Sequence, residues 1–237
     1  MQKRKNIVIT GATKGIGFSL AVVFSEPNTR LLLCARNKDE LGLASSALTN
    51  AEQDVEVHSF CGDLSDKPTA IEFAAWCNEY GATDILINNV GTFIPGDVST
   101  EADGSVEKMM DTNFYSAYHL TRALLPKMIE AGSGHIFNIC SVAALKAYNG
   151  GGSYSISKFA MDGFSQNLRS ELQDKNIKVT AVFPGAVMTN SWKDFDNSNQ
   201  RIMEPEDVAI MVKASTLLSA QSTVEEIVMR PQLGDLP

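Results

Sequence analysis

The sequence predicts an α/β protein built on one doubly wound parallel sheet of about seven strands, with helices on both faces. Short apolar runs alternate with longer segments of helical period along the chain, and no Pro/Gly-rich linker or repeat interrupts them. Such alternation is typical of right-handed βαβ units. The 237 residues, 44% of them hydrophobic, suffice for a single core, so we expect one domain over residues 1–237.

Each element follows from its own pattern. Runs rich in β-branched and apolar residues predict strands at 6–10, 30–34, 55–60, 84–87, 135–139, 178–183 and 226–229. Amphipathic stretches between them predict helices at 16–25, 38–48, 68–79, 106–131, 153–173 and 206–219. In such a sheet ligands bind beyond the carboxyl ends of the strands, so residues just after each run are the candidates for function.

Composition excludes several classes of function. A net charge of −8 and an isoelectric point near 4.9 argue against binding to nucleic acid or an anionic membrane. A basic start is followed by only three apolar residues, and no run is long enough for a membrane span, so we expect a cytoplasmic protein. The cysteines, Cys34, Cys61, Cys77 and Cys140, have no metal-ligand spacing. They predict buried thiols and no metal site.

The first strand ends in a glycine-rich turn that indicates phosphate binding. The segment reads Thr10-Gly11-Ala12-Thr13-Lys14-Gly15-Ile16-Gly17 and leads into the first helix. Glycines allow the backbone to approach a pyrophosphate, whose charge the helix N-terminus stabilises. The alternative is that these glycines serve only a tight turn.

A tyrosine and a lysine four residues apart form the sharpest chemical signal. Tyr154 and Lys158 share one helix face, and an ammonium beside a phenol is expected to lower the pKa of the phenol towards neutrality. Ser141 follows the fifth strand. Taken alone, a serine at this position is typical of a capped turn.

Taken together, these motifs resemble the short-chain dehydrogenase/reductase family. T-G-x-x-x-G-x-G, the segment Asn88-Asn89-Val90-Gly91, Y-x-x-x-K and the segment Pro184-Gly185-Ala186-Val187-Met188-Thr189 occur in the family's order over the whole chain, with Val90 in place of the family's alanine as the visible departure. The resemblance implies a Rossmann-type fold, a small carbonyl or alcohol substrate, and a homodimer or homotetramer. Its subunits would pair through helices 106–131 and 153–173.

The resemblance also implies residue roles. Tyr154 would be the general acid/base, Ser141 would orient the substrate, Lys158 would lower the phenol pKa and bind the nicotinamide ribose, and Asn113 would bend its helix and hold a water. The implied cofactor contacts are Gly11, Thr13, Lys14, Gly15, Ile16, Gly17, Arg36, Asp63, Leu64, Asn89, Gly91, Tyr154, Lys158, Pro184, Gly185, Val187 and Thr189. A short lid at about 190–203, with Trp192 and Phe195, would cover the substrate.

The end of the second strand favours NADP(H) over NAD(H). NAD users need an acid here for the ribose 2′-hydroxyl, but this chain has Ala35 followed by Arg36. Arg36 and Lys14 occupy the positions at which NADP-dependent members contact the 2′-phosphate, and Arg is suited to fork two N–H donors onto it. Asn37 and Glu40 are spaced as a helix capping box, which would fix Arg36 at the edge of the sheet.

Two other functions remain as alternatives. The first is a non-catalytic dinucleotide-binding sensor or scaffold on the same fold, although such members usually lose the tyrosine or lysine. The second is an epimerase or dehydratase, which more often has a longer chain. Phe93, Val142, Tyr148 and the turn at 150–152 are candidate pocket walls for a small carbonyl compound.

Overall fold

The computed structural model describes residues 4–52, 54–192 and 195–236. Its centre is a seven-stranded sheet in the order β3-β2-β1-β4-β5-β6-β7, in which every pairing is parallel. The strands are β1 Lys5–Thr10, β2 Thr29–Ala35, β3 Glu56–Cys61, β4 Ile85–Asn88, β5 Gly134–Ile139, β6 Ile177–Pro184 and β7 Glu226–Met229. The predicted fold class and number of strands are confirmed.

Helices cover both faces of this sheet. They are α1 Gly15–Phe24, α2 Lys38–Ala51, α3 Lys67–Glu79, α4 Ser105–Met110, α5 Ser116–Ala131, α6 Gly152–Leu172 and α7 Pro205–Ser215. Alternate residues of β1 face opposite layers: Ile7 and Ile9 pack in the core under α1, α2 and α7. Val8 packs in the core under α3, α5 and α6.

Hydrogen bonds from polar side chains set the helix boundaries at both ends. Asp66 accepts a hydrogen bond from Thr69 N at the start of α3, and Pro68 lies in the first turn, where the missing N–H has no cost. At the other end of the chain the predicted helix 206–219 is too long. It ends at Ser215, because the Ser215 and Thr216 hydroxyls bond to the carbonyls of Val212 and Lys213 and compete with the helical pattern.

The predicted single helix at 106–131 is also wrong in detail. Five residues, Asp111–Tyr115, form a π-helical segment between α4 and α5. A π segment inserts one residue into the helical repeat and is frequent at functional sites. Asn113 lies within it and is fully buried, so the predicted bend at this residue takes the form of a local widening of the helix.

A buried polar ladder joins the middle of the sheet to α5 and α6. The Asn88 amide donates to Asn138 Oδ1 at 2.8 Å and to Thr121 Oγ1 at 2.9 Å. The Asn138 amide in turn donates to Ser165 Oγ at 2.8 Å. The Ser165 hydroxyl donates onward to Met161 O, so the ladder fills most of the hydrogen-bonding positions of these buried side chains, with Asn88 Oδ1 left without a partner among the described residues.

The cysteines depart from expectation at one position. All four are free thiols, and Cys34, Cys77 and Cys140 are buried. Burial raises the pKa of the Cys34 thiol to about 12. The prediction of a buried thiol is wrong for Cys61, which is exposed because it is the last residue of β3, the strand at the edge of the sheet. None of the described helices has the length and apolar character needed to cross a membrane.

We expect Asn138→Ala to lower the free energy of unfolding by about 3 kcal/mol, because it removes one acceptor of the Asn88 amide and the donor to Ser165 Oγ in the core. Urea titration followed by circular dichroism measures this. Asn50→Ala on the exposed face of α2 is the control and should change stability by less than about 0.5 kcal/mol. Equal effects of the two variants would contradict a structural role for the ladder.

Candidate active site

The glycine-rich turn adopts a conformation that other residues would disturb. Gly11 has φ +66°, in the left-handed region. A Cβ on Gly17 would lie only 2.1 Å from the carbonyl oxygen of Gly11, so the first turn of α1 packs directly on the end of β1. This close approach leaves the backbone of the turn and the N-terminus of α1 together at the carboxyl edge of the sheet, as an anion site requires.

Asn89 holds this turn in place. Its Nδ2 donates to the carbonyl oxygens of Thr10 at 2.9 Å and Gly11 at 3.2 Å. In return the backbone N–H groups of Asn89 and Val90 donate to Thr10 Oγ1 at 2.9 and 3.1 Å. The amide of Asn89 thus fixes the shape of the turn, and Val90 packs on the core beneath it.

The segment after β6 lies against the same turn. A Cβ on Gly15 would be 3.1 Å from Cγ2 of Thr189, so the first and last predicted cofactor segments meet. Pro184 ends β6, and Gly185 N donates to Met229 O at 2.8 Å. The side chain of Val187 is buried in the core.

The predicted lid is anchored at both ends. Before it, Met188 N donates to Met203 O at 2.8 Å, and Met203 N returns a bond to Ala186 O at 3.1 Å. Within it, Trp192 and Phe195 contact edge to face, with ring centroids 5.4 Å apart. Residues 193 and 194 lie outside the described residues. The two ends of the segment therefore lie side by side next to the glycine-rich turn.

Lys158 is the most deeply buried charged group of the site, with 4% of its surface exposed. Its Nζ donates to Ile139 O at the end of β5, at 2.9 Å, and burial lowers the pKa of the ammonium. Gly91 lies beside it, since a Cβ on Gly91 would be 3.5 Å from Nζ. The lysine therefore lies beneath the ends of β4 and β5.

Tyr154 lies close to Lys158, but burial has the larger effect on the pKa of its phenol. Lys158 Nζ is 5.8 Å from the centre of the tyrosine ring. The rings of Tyr154 and Phe93 contact edge to face, with their centroids 4.9 Å apart. Burial raises the pKa of the Tyr154 phenol, and a hydrogen bond with Ser141 acts in the opposite direction. The expected lowering of the phenol pKa is therefore wrong for this structure, because loss of solvation outweighs the other influences.

Ser141 is positioned by the short 3₁₀ helix Val142–Ala144 that follows β5. Its Oγ accepts a hydrogen bond from Ala143 N at 3.2 Å. Since this bond occupies an acceptor position of the hydroxyl, the O–H proton remains available to donate towards Tyr154 or a substrate oxygen. Nearby, burial raises the pKa of Tyr148 to about 12, so this second phenol stays protonated at neutral pH.

Asn113 connects the π segment to the loop after β4 and to helix α6. Its Oδ1 accepts from Thr92 N at 2.7 Å, and its Nδ2 donates to Thr92 O at 3.0 Å and to Ser157 Oγ at 2.9 Å. Ser157 in turn donates to Tyr154 O. Asn113 thus ties the segment after β4 to α6 between Tyr154 and Lys158.

Arg36 and Asp63 lie together at the ends of β2 and β3. Arg36 Nη1 is 3.7 Å from Asp63 Oδ2, and both side chains are largely exposed. Asp63 Oδ1 also accepts from the backbone and hydroxyl of Ser65. Leu64 has its side chain in the core, so any contact with a ligand at this edge belongs to its backbone.

Glu40 lies beside the glycine-rich turn, whereas the sequence predicted that it belongs to a capping box with Asn37. Asn37 Oδ1 does cap α2, accepting from the backbone of Asp39 and Glu40 at 3.0 Å. The predicted capping box is only half formed, because the Glu40 carboxylate lies 3.2 Å from Lys14 Nζ and accepts from Thr13 Oγ1 at 3.3 Å. Opposite charge on the adjacent turn attracts it away from the cap.

Two further acids, missed by the sequence analysis, fasten the loop after β4 to the start of α6. Asp97 Oδ1 accepts from Gly150 N at 2.7 Å, and the Glu101 carboxylate accepts from the backbone and hydroxyl of Ser153. They hold the glycine-containing turn at 150–152, which ends two residues before Tyr154. No motif marks them, because each is a single acid in a polar loop.

The fold and this site define a dinucleotide-binding oxidoreductase. A family model described as short chain dehydrogenase matches residues 5–200. The chain belongs to this family, and the resemblance drawn from its motifs is confirmed.

Individual relatives are consistent with this. Sepiapterin reductase from Chlorobaculum tepidum is 33% identical over 237 residues, covering 97% of this chain and 97% of the relative. A metagenomic short-chain oxidoreductase solved with NADP has a TM-score of 0.83 at 28% identity, covering 97% of this chain and 98% of its own. L-Sorbose reductase from Gluconobacter frateurii, solved with NADPH and L-sorbose, has a TM-score of 0.85 at 25% identity, covering 95% and 94%.

We expect Gly17→Ala to destabilise the protein by about 2 kcal/mol or more, because a methyl group at 2.1 Å from Gly11 O forces α1 away from β1. Gly42→Ala is the matched control. It lies in α2 with no atom within 4 Å of its added Cβ and should stabilise by about 0.5–1 kcal/mol. Urea denaturation of both variants tests the contrast, and a Gly17 variant as stable as the native protein would contradict it.

Proposed function

We propose that the protein is an NADP(H)-dependent oxidoreductase that interconverts a small carbonyl compound and its alcohol, with Tyr154 as the general acid and base. The observation that carries this proposal is the convergence of Tyr154, Ser141 and Lys158 next to the glycine-rich turn. The Ser141 hydroxyl acts on the Tyr154 phenol, and Lys158 Nζ lies 5.8 Å from the centre of the Tyr154 ring, bonded to Ile139 O at the end of β5. Family membership supports the reaction class.

The residues of the site fit a nicotinamide dinucleotide. The Gly11–Gly17 contact and the N-terminus of α1 suit a pyrophosphate, and Thr189 lies on the same turn. The ammonium of Lys158 has three donors, and among the described residues one protein acceptor, Ile139 O, is bonded to it. Its remaining donors suit the hydroxyls of a ribose.

The dinucleotide would supply the hydride that is exchanged with the carbonyl carbon. In reduction, Tyr154 Oη donates its proton to the carbonyl oxygen as negative charge develops there. The raised pKa of Tyr154 keeps the phenol protonated at neutral pH, which is the state that an acid needs. In oxidation the same oxygen accepts the proton of the alcohol.

Ser141 and Lys158 support this proton transfer from two sides. Ser141 has an acceptor position occupied by Ala143 N, so its hydroxyl donates to the oxygen on which charge develops and stabilises it there. Lys158, held by Ile139 O, provides a positive charge below the phenol. That charge favours the phenolate formed after proton transfer and so opposes part of the effect of burial.

Charge at the ends of β2 and β3 supports NADP(H) as the cofactor. Arg36 and Lys14 are both substantially exposed at this edge, each beside an acid, and their N–H donors suit a 2′-phosphate. The NADP and NADPH complexes among the solved relatives support the same preference. Ala35, at the end of β2, leaves no acid on that strand to bind a 2′-hydroxyl.

Aromatic side chains next to Tyr154 favour a small substrate with an apolar or planar part. Phe93 contacts the catalytic ring directly, and Tyr148 is half-exposed close by. The similarity to sepiapterin reductase supports testing sepiapterin first, together with simple diketones, ketoses and aldehydes.

We expect Tyr154→Phe to lower kcat for carbonyl reduction at least 100-fold, because the variant lacks the hydroxyl that donates the proton. NADPH should still bind, since the aromatic ring is retained. NADPH oxidation, followed by absorbance over the panel of carbonyl compounds, measures the rate. Quenching of protein fluorescence measures binding. Tyr115→Phe, on the exposed surface of the π segment, is the matched control. If native protein and Tyr154→Phe oxidise NADPH equally with every compound, the proposed function is wrong.

The raised pKa of Tyr154 also predicts opposite pH profiles for the two directions. Reduction needs the protonated phenol, so kcat should stay constant through neutral pH and fall only as the pH rises through the raised pKa. Oxidation needs the phenolate and should increase over the same alkaline range. Steady-state kinetics in both directions test this, and an oxidation optimum near pH 7 would contradict it. The phenolate difference spectrum between native protein and Tyr154→Phe provides an independent titration.

A further inference from the structure

We propose that Glu40 limits the selectivity of this protein for NADP(H) over NAD(H), by holding the Lys14 ammonium and placing a negative charge beside the 2′-phosphate position. This inference rests on the proposed function and concerns the same nucleotide site. No role at that site follows from the position of Glu40 in the sequence, where it lies in the first turn of α2.

The contacts of Glu40 are directed at the glycine-rich turn. Its Oε2 lies 3.2 Å from Lys14 Nζ, and its Oε1 accepts from the same ammonium at 3.3 Å. The Thr13 hydroxyl also donates to Oε2. Its backbone N–H donates to Asn37 Oδ1, which fixes the start of α2 so that the carboxylate stays within reach of the turn.

Both cations expected at the 2′-phosphate are therefore already paired with acids. Lys14 is paired with Glu40, and Arg36 with Asp63 at 3.7 Å. The two acids differ in how they are held. Asp63 is anchored by the backbone and hydroxyl of Ser65, whereas the carboxylate of Glu40 has only Lys14 and Thr13 as partners among the described residues. Glu40 is thus an acid whose bonded partners, Lys14 and Thr13, both belong to the glycine-rich turn.

This arrangement affects the two nucleotides differently. A 2′-phosphate carries close to two negative charges, so a carboxylate that shares its lysine repels it. A 2′-hydroxyl carries no charge and is able to donate a hydrogen bond to the same carboxylate. Glu40 therefore weakens binding of NADP(H) and leaves NAD(H) unaffected or slightly favoured, as a strand-end acid does in NAD-selective proteins.

The test measures nucleotide binding and requires no substrate. Dissociation constants for NADPH, NADH, 2′,5′-ADP and 5′-AMP are determined by calorimetry for native protein and for Glu40→Gln, which keeps the size of the side chain. We expect Glu40→Gln to bind NADPH and 2′,5′-ADP about five- to tenfold more tightly. NADH and 5′-AMP should change by less than about twofold or bind slightly more weakly.

Two further variants make the outcome unambiguous. Glu72→Gln removes the same charge from the exposed surface of α3 and controls for the change in net charge, so it should leave all four constants unchanged. Glu40→Ala removes the carboxylate without adding an amide and should give the same gain as Glu40→Gln. An unchanged ratio of NADH to NADPH dissociation constants in both Glu40 variants, or weaker NADPH binding, overturns the inference.

Failure of the proposed function has a different signature. If native protein binds none of the four nucleotides, the proposed cofactor is wrong, whatever Glu40 does. Arg36→Ala separates the remaining cases, because it should weaken NADPH far more than NADH if a 2′-phosphate contacts this edge. Selective loss in Arg36→Ala combined with no gain in Glu40→Gln leaves the proposed function intact and rejects the role of Glu40.

Discussion

The burial of the Lys158 ammonium is the constraint on which the rest of the site depends. An ammonium taken out of water needs hydrogen-bond acceptors, and Ile139 O at the end of β5 provides one. The surrounding polar groups fix the elements that enclose it: Asn113 joins the segment after β4 to Ser157 on α6. The π segment contributes to this enclosure, since it carries the fully buried Asn113 amide to the point between Thr92 and Ser157.

Burial acts on the two titratable groups in the same sense, towards neutrality. It raises the pKa of the Tyr154 phenol and lowers that of the Lys158 ammonium, because loss of solvation penalises the charged form of each group. A protonated phenol is suited to donate, whereas the phenolate left after donation requires stabilisation from Ser141 and Lys158. In the proposed reaction, charge on the phenol would be stabilised by these neighbours as the proton is transferred, rather than being present beforehand.

Much of the fold was predictable because its signal is local and repeated. Continuous apolar runs such as Ile7-Val8-Ile9 identify a strand buried on both faces, and motifs at strand ends locate the edge that carries Ser141 and faces Tyr154. The π segment was not predictable, because Asp111–Tyr115 continues the helical period on either side. The raised phenol pKa was missed for a similar reason: four-residue spacing indicates a shared helix face, but desolvation depends on the packing of Phe93 and β5, which spacing does not contain.

The position of the Glu40 carboxylate beside Lys14 also could not be predicted from the sequence. Sequence motifs locate the acid of an NAD site at the end of β2, and Ala35 there predicts that no acid is present. In three dimensions the glycine-rich turn and the first turn of α2 are neighbours, so a carboxylate from α2 reaches Lys14 and Thr13. The electrostatic potential at a nucleotide site is set by all charges within a few ångströms. The N-termini of α1 and α2 lie side by side, so residues of α2 fall within that distance of the turn. Selectivity then depends on the balance of charge around Lys14, which a single strand-end position cannot determine.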